Sequence, residues 1–201
     1  MQIEMIMTGP IQENCYVVMD EETHDAVIVD PGEDAPRIVE AIERMGAKPI
    51  AIINTHCHFD HVGAVSALQK KYNIPFYIHP EDKAMLEPAA ASASNFGLTI
   101  EQPKVDRFIR EGETFKVGSS TLEVRFTPGH CPGHIILIGD GFALVGDVLF
   151  AGSVGRTDFP GTSWPVLAHS IKTQLLTLPD DTVVFPGHGP STTIGRERRT
   201  N

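Results

Sequence analysis

The sequence has few cysteines, no long apolar segment and no excess of basic residues. Its three cysteines are an odd number, which argues against a disulfide framework. No window approaches the roughly 20 apolar residues that a membrane-spanning helix requires, and the first residues show no basic segment followed by an apolar one. These absences predict a cytoplasmic protein that does not act at a membrane.

Acidic residues outnumber basic ones, with 26 Asp and Glu against 16 Lys and Arg and a formal net charge of −10. Such a chain is a poor general binder of phosphate backbones, so no nucleic-acid partner is expected. The 201 residues are 41% hydrophobic and 21% charged, which is typical of a globular protein with one core. We therefore expect a single domain over residues 1–201.

Short apolar runs separated by polar turns predict two strand-rich halves with helices between them. Strands are expected at 3–7, 16–19, 26–29, 50–53 and 76–78, and then at 107–110, 114–116, 121–126, 134–138, 142–145 and 182–185. Helices are expected at 38–45, 62–74, 81–86 and 165–176. Residues 87–106 are predicted to form a long connection, either functional or a plain surface loop. The two halves suggest two sheets packed face to face with helices outside.

Four metal-ligand side chains are crowded into the segment 55–61, which reads Thr-His-Cys-His-Phe-Asp-His. Imidazole and carboxylate groups are ligands of borderline divalent metals such as zinc, and burying them without a cation or partner is costly. Residues two apart in an extended segment point the same way, so His56 and His58 can bind one ion while Cys57 points elsewhere. Asp60 and His61 follow at the turn into a helix and can hold a second ion nearby.

Three further ligand candidates stand where apolar runs end, namely His130 after Thr-Pro-Gly, Asp147 after Gly, and His188 after Pro-Gly. Glycine and proline beside each one allow tight loops that direct the side chain. Loops at strand ends are where a site between two sheets can form. His134 opens a strand and is interpreted as a structural group rather than a ligand.

This order of residues resembles the metallo-β-lactamase fold along almost the whole chain. The match consists of His-x-His-x-Asp-His at 56–61, then His130, Asp147 and His188, with Asp30 in Val-Asp-Pro-Gly as the early aspartate. The stretches 127–130, 155–159 and 186–190 are most similar to the glyoxalase II-like branch, which hydrolyses thioesters such as S-lactoylglutathione. The resemblance implies an α/β fold, a four-layer αββα sandwich of two mixed sheets face to face with helices outside.

The resemblance also implies two metal sites. One ion would be held by His56, His58 and His130 and the other by Asp60, His61 and His188, with Asp147 bridging both. Zinc is the expected metal, with iron or manganese as alternatives. Asp30 either sets the Asp-Pro-Gly turn or, as the resemblance implies, accepts a hydrogen bond from a ligand histidine, and Thr55 can act similarly.

Two such metals would share a bridging water and lower its pKa, so that a hydroxide between them becomes the nucleophile while a metal polarises the substrate carbonyl. A small-molecule thioester suits this chemistry, because its leaving thiolate, from a thiol of pKa about 8.5, needs little help from a general acid. The resemblance gives Asp60 a further role as acceptor of a proton from the water.

Substrate recognition is less defined by the sequence. Arg156 can meet a substrate carboxylate or form a structural ion pair, and Phe159 can line the pocket or only pack its loop. Full-length glyoxalase II enzymes carry a helical C-terminal extension with glutathione-binding groups, whereas an Arg-rich tail follows His188 here. Gly189 and Pro190 stand where those enzymes often have a tyrosine. Metal-dependent hydrolysis is therefore expected, and the glutathione carrier stays open.

Three other functions compete with a thioesterase. A persulfide dioxygenase on the same scaffold would use one iron held by two histidines and one aspartate, here His56 or His58 with His130 and Asp147. A metallo-hydrolase of a lactone, a phosphodiester or a nucleic acid is the second, although the acidic charge argues against nucleic acid. A non-catalytic metal module is the third, but structural zinc sites are closed by protein ligands, whereas the parts of an open site are present here.

Overall fold

The computed structural model describes residues 1–201. Its strands are β1 (Gln2–Thr8), β2 (Glu13–Met19), β3 (Asp25–Val29), β4 (Lys48–Ile53), β5 (Phe76–Ile78), β6 (Arg107–Phe108), β7 (Thr114–Val117), β8 (Ser120–Phe126), β9 (Ile135–Gly139), β10 (Phe142–Gly146), β11 (Leu149–Phe150), β12 (Ser153–Val154), β13 (Val183–Pro186) and β14 (Thr192–Thr193). Its helices are α1 (Ala35–Met45), α2 (Phe59–Val62), α3 (Val65–Tyr72), α4 (Leu86–Ser94), α5 (Trp164–Ser170) and α6 (Ile194–Thr200). A 3₁₀ turn (Pro80–Met85) precedes α4, and a π turn (Ile171–Leu175) continues α5.

The strands form two mixed six-stranded sheets and a small hairpin of β11 and β12. The first sheet has the order β1-β2-β3-β4-β5-β6, antiparallel from β1 to β3 and parallel from β3 to β6. The second has the order β14-β13-β10-β9-β8-β7, and its one parallel pair is β10 with β13. Parallel pairs need crossover connections, and α1 and α3 provide two of them in the first sheet.

Strand β2 shows how the first sheet is buried on both faces. All of its residues are buried. Tyr16 and Val18 join the apolar core between the two sheets, whereas Cys15 and Val17 pack on the side of α1 and α3. This alternation follows from the two-residue period of a strand, and burial on both faces explains its nearly continuous apolar sequence.

The second sheet repeats this arrangement on the opposite side. Ile135 and Leu137 of β9 face the first sheet, and Ile136 between them packs towards Leu167 of α5 and Ile194 of α6. Each fully buried side chain of this size contributes about 1.5–3 kcal/mol. The result is the expected four-layer αββα sandwich, with helices outside both sheets.

Every strand predicted from the sequence is present, but the long connection predicted at 87–106 is wrong in its first half. Residues Leu86–Ser94 form α4. Leu86, Ala89 and Ala93 are its buried residues, at the spacing of one helix face. The sequence did not indicate this helix because alanine and serine differ little in hydrophobicity. They therefore produce only a weak 3.6-residue pattern of apolar positions.

The helix predicted after the ligand cluster begins earlier than expected and is split in two. Helix α2 starts at Phe59, inside the cluster, and α3 starts at Val65. A side chain on Gly63 would collide with the backbone oxygen of Gly32. The chain between the two helices therefore lies directly against the loop that follows β3.

The Arg-rich tail is also structured, which the sequence did not indicate. Strand β14 pairs with β13, and α6 follows at once. Glu197 of α6 is buried and accepts hydrogen bonds from the amide of Gly152 (2.8 Å), the hydroxyl of Thr192 (2.5 Å) and the side chain of Asn201 (3.0 Å). This carboxylate ties α6 to the β11–β12 hairpin.

None of the helices combines the length and the apolar character that crossing a membrane would require.

We expect the Glu197→Gln substitution to lower the free energy of unfolding by about 1–3 kcal/mol, because an amide group would place a donor against a buried donor. Urea unfolding measures the change. Glu40→Gln, at an exposed position of α1, is the matched control and should change the value by less than about 0.5 kcal/mol. Equal stabilities of the two variants would contradict the role of Glu197.

Candidate metal centre

The predicted ligands lie on loops that leave the strands at one edge of the sandwich. Segment 56–61 follows β4, His130 follows β8, Asp147 follows β10 and His188 follows β13. Strands β10 and β13 are parallel neighbours, so Asp147 and His188 lie on adjacent loops. The structure thereby brings together residues that are distant in sequence.

The first group of ligand candidates consists of three histidines from two loops. Nδ1 of His58 lies 3.1 Å from Nε2 of His56 and 3.1 Å from Nε2 of His130. Burial, and then the charge of His130, lowers the pKa of His58 to about 3. Burial likewise lowers the pKa values of His56 and His130, so all three rings are neutral at pH 7.

The outer nitrogens of this group determine which way the lone pairs point. Nδ1 of His130 lies 2.8 Å from the backbone oxygen of Arg156, which can only accept, so this nitrogen carries the proton. Nδ1 of His56 lies 3.1 Å from the hydroxyl of Thr55, which donates its own proton to Asp30 at 2.6 Å. The Nε2 lone pairs of His56 and His130 therefore face the centre.

The second group consists of Asp60, His61 and His188. Oδ2 of Asp60 lies 3.2 Å from Nε2 of His188 and 3.7 Å from Nε2 of His61. Burial alone would raise the pKa of Asp60, but the two histidines outweigh it and hold the pKa at about 2. Burial would lower the pKa of His61, and the carboxylates of Asp60 and Asp147 reverse that and raise it.

Asp147 lies between the two groups. Its Oδ1 is 3.6 Å from Nε2 of His61, and its Oδ2 is 3.6 Å from Nε2 of His130 and 3.7 Å from Nε2 of His188. One carboxylate thus faces a histidine of the first group and two of the second. This position suits the bridging role that the resemblance implies for Asp147.

The buried atoms of the site fit divalent cations. Nε2 of His61 and Oδ1 of Asp147 are both buried and have no hydrogen-bond partner. A side chain at Gly187 would collide with that oxygen, so the glycine keeps the space beside it open. Imidazole nitrogens and carboxylate oxygens converge at this point, and this is the set of donor atoms that zinc or iron binds.

Asp30 precedes the Pro-Gly turn and also lies beside a ligand candidate. It has a φ of 50°, a left-handed conformation that fits its place before the Pro-Gly turn. Its Oδ1 accepts the amide of Thr55 at 2.7 Å, and its Oδ2 lies 3.2 Å from Nδ1 of His61. Asp30 and Thr55 together orient one histidine of each group from behind.

Sequence reasoning missed two residues at the start of β2. Glu13 is buried, accepts the hydroxyl of Thr8 at 2.7 Å, and places its other oxygen 3.8 Å from Nδ1 of His61. The side chain of Asn14 donates to the backbone oxygens of Pro186 (3.0 Å) and Gly189 (2.8 Å), and so holds the loop of His188. The only indication in the sequence is that two polar residues precede the apolar residues of β2. The same pattern is typical of a turn, so it did not indicate a role at the site.

His134 lies behind the ligands, as its structural interpretation predicted. Its Nε2 accepts the amide of Asp147 at 3.2 Å, and its ring stacks on His56 with centroids 4.8 Å apart. Sγ of Cys131 lies 3.4 Å from Nε2 of His58, the nitrogen that faces away from the other histidines. Burial raises the pKa of Cys131, so its thiol stays protonated and can accept the His58 proton.

Arg156 and Phe159 lie at the rim of the first group. The guanidinium of Arg156 makes two contacts of 2.9 Å with Asp158 and stacks over Phe159 at 4.8 Å. These contacts correspond to the ion-pair interpretation of Arg156. The ring of Phe159 lies 5.8 Å from His58 and 5.9 Å from His130, between centroids, so it flanks the ligands.

This chain is similar to known proteins along almost its whole length. The sequence model of the metallo-beta-lactamase superfamily matches residues 8–188. The hydroxyacylglutathione hydrolase GloC of Haemophilus influenzae is 39% identical, over 100% of this chain and 97% of its own.

Two solved structures share the whole architecture. The BLEG-1 B3 metallo-beta-lactamase has a TM-score of 0.90 and 39% identity, covering 98% of this chain and 96% of its own. TTHA1623, solved in a di-iron-bound form, has a TM-score of 0.90 and 41% identity, covering 98% of each chain. The chain is thus similar along its length to proteins without an added domain, one of which holds iron.

We expect metal removal to lower the thermal unfolding midpoint by about 10 °C. A metal ion present at 1,000 times its Kd stabilises the folded state by about 4 kcal/mol, and this stabilisation is lost when the metal is removed. The midpoint is measured before and after dialysis against chelator, with metal content followed by elemental analysis. His169→Ala, which alters an exposed histidine, should retain the metal and the shift. An unchanged midpoint after confirmed metal loss would refute the coupling.

Proposed function

Because the chain belongs to the metallo-β-lactamase superfamily, we propose that it is a metal-dependent hydrolase of small thioesters of the hydroxyacylglutathione type. The observation that carries the proposal is the pair of ligand groups on either side of Asp147, with Nε2 of His61 and Oδ1 of Asp147 both buried and without a hydrogen-bond partner. The likeness to GloC over the full chain supports the thioester substrate.

The proposed cofactor is a pair of divalent metal ions. His56, His58 and His130 would hold one and Asp60, His61 and His188 the other, with Asp147 shared. Zinc suits these ligands, and the di-iron form of TTHA1623 makes iron an equal candidate. When bound, such a pair supplies a water of lowered pKa and Lewis-acid polarisation of a carbonyl.

The protein's own residues prepare the site for that chemistry. Arg156, through its backbone oxygen, and Thr55, through its hydroxyl, keep the protons of His130 and His56 on the outer nitrogens. Asp60 is ionised at neutral pH, and a carboxyl of pKa about 2 binds a proton weakly. We propose that Asp60 acts mainly as a metal ligand and accepts a proton from the water only transiently.

Aromatic rings flank the ligand loops where a substrate would approach. Phe159 stands beside His58 and His130. Phe59, between the ligand candidates His58 and Asp60, stacks on the exposed Phe96 with centroids 4.9 Å apart. We propose that these apolar walls bind the acyl and thiol parts of the substrate. No side chain has to act as a general acid for a thiolate leaving group.

The dioxygenase alternative needs only one occupied group. Here the second group is as complete as the first, since Asp60, His61 and His188 are all buried or partly buried with their ligand atoms facing one another. This convergence supports a second metal ion, and the metal content together with oxygen consumption separates the two functions.

We expect the protein purified without chelator to contain about two metal ions and to hydrolyse S-lactoylglutathione. His58→Ala should lower kcat/KM by more than about 100-fold, since even partners outside the ligands are worth 10–100-fold. Elemental analysis and a continuous thiol-release assay provide the measurements.

The control is His169→Ala, which should keep full activity and metal. Equal activity of His58→Ala and the unaltered protein would refute the proposed mechanism. A single iron, with oxygen consumption on glutathione persulfide and no thioester cleavage, would instead establish the dioxygenase. Hydrolysis of a β-lactam in place of the thioester would assign the site to the chemistry named for BLEG-1.

A further inference from the structure

Asp82 is a buried carboxylate outside the ligand set. It lies in the 3₁₀ turn that follows β5 and is 0% exposed. It forms no ion pair, and burial raises its pKa to about 6. Burying a carboxylate without a cation costs several kcal/mol, so its hydrogen bonds must offset that cost.

Its two oxygens accept amide protons from two different ligand loops. Oδ2 lies 2.5 Å from the amide nitrogen of Cys57, between His56 and His58. Oδ1 lies 3.0 Å from the amide nitrogen of Gly133, three residues after His130. Hydrogen bonds to a charged acceptor are about twice as strong as neutral ones.

The contact with Gly133 leaves no room for adjustment. A side chain there would collide with the backbone nitrogen of Asp82 and come within 2.6 Å of its Cβ. The loop after β8 thus packs directly on the turn that carries Asp82. The same carboxylate also binds the loop after β4. It therefore joins the two loops on the side of Cys57 and Gly133, while the amide of Ile135 joins them at the oxygen of Thr55 (2.9 Å).

That separation matters for the first group of ligands and not for the second. The first group is closed by His58 from one loop and His130 from the other, whose ring nitrogens are 3.1 Å apart. The loop of His188, in the second group, is held instead by Asn14 and by the hydroxyl of Tyr16, 2.6 Å from the oxygen of Pro186.

We infer that Asp82 is a positioning residue for the first metal site, holding the loops of His58 and His130 at the separation that the ion requires. The inference rests on the metal binding of the proposed function. It predicts that substitution of Asp82 weakens metal binding at the first site and leaves the affinity of the second site unchanged.

Asp82→Asn tests this, because an amide retains one acceptor and turns a donor towards the second amide proton. Competitive titration of the metal-free protein with zinc and a chromophoric chelator gives both dissociation constants. One should rise by about 10–100-fold. Glu197→Gln, which alters another buried carboxylate that accepts an amide proton, is the matched control and should change neither constant.

A double-mutant comparison locates the effect. In a His58→Ala background, Asp82→Asn should cause no further loss of zinc affinity, and in a His188→Ala background it should weaken the remaining site. Equal losses in both backgrounds, or unchanged constants in Asp82→Asn alone, would overturn the inference. If the unaltered protein binds no zinc or iron, the proposed function itself fails.

A measurement on the unaltered protein covers the case in which Asp82→Asn does not fold. The amides of Cys57 and Gly133 should exchange slowly with deuterium in the metal-free state, since Asp82 and not the metal protects them. Exchange at the rate of exposed loop amides in that state would also overturn the inference.

Discussion

Buried nitrogen and oxygen atoms converge at one edge of the sandwich, and two of them find no hydrogen-bond partner in the chain itself. Nε2 of His61 and Oδ1 of Asp147 lie 3.6 Å apart, each without a hydrogen-bond partner. Such an arrangement costs the desolvation free energy of both groups. Bound cations would offset this cost, so the stability of the loops and the proposed chemistry would depend on the same interaction.

The rest of the fold maintains that convergence. Strands buried on both faces have a defined register, since a shift of one residue would exchange the two faces. The central strands β4 and β10 are of this kind and deliver His56 and Asp147 at their ends. The loops that follow pack so closely that side chains at Gly133 and Gly187 would collide with neighbouring residues. This close packing leaves the ligands few ways to move, which is how a rigid scaffold positions a site.

Three buried carboxylates that are not ligand candidates contact the ligand residues or their loops on the side away from the metal centre. Asp30 faces Thr55 and His61, Glu13 faces His61, and Asp82 holds two ligand loops. Together with Asp60 and Asp147, they place several of the chain's acidic groups at one site. Part of the formal charge of −10 would therefore be neutralised by bound metal rather than by solvent.

The sequence by itself predicted the strands, the sandwich and the seven ligand candidates, because strand alternation and the spacing of His56 to His61 are local patterns. It could not predict α4, whose alanines carry little periodic signal, or the roles of Asp82 and Asn14. Those two residues bind partners that are 51 and 172 positions away in sequence. Only tertiary packing decides such pairs, since a buried carboxylate and one in a solvated helix turn look the same in a sequence.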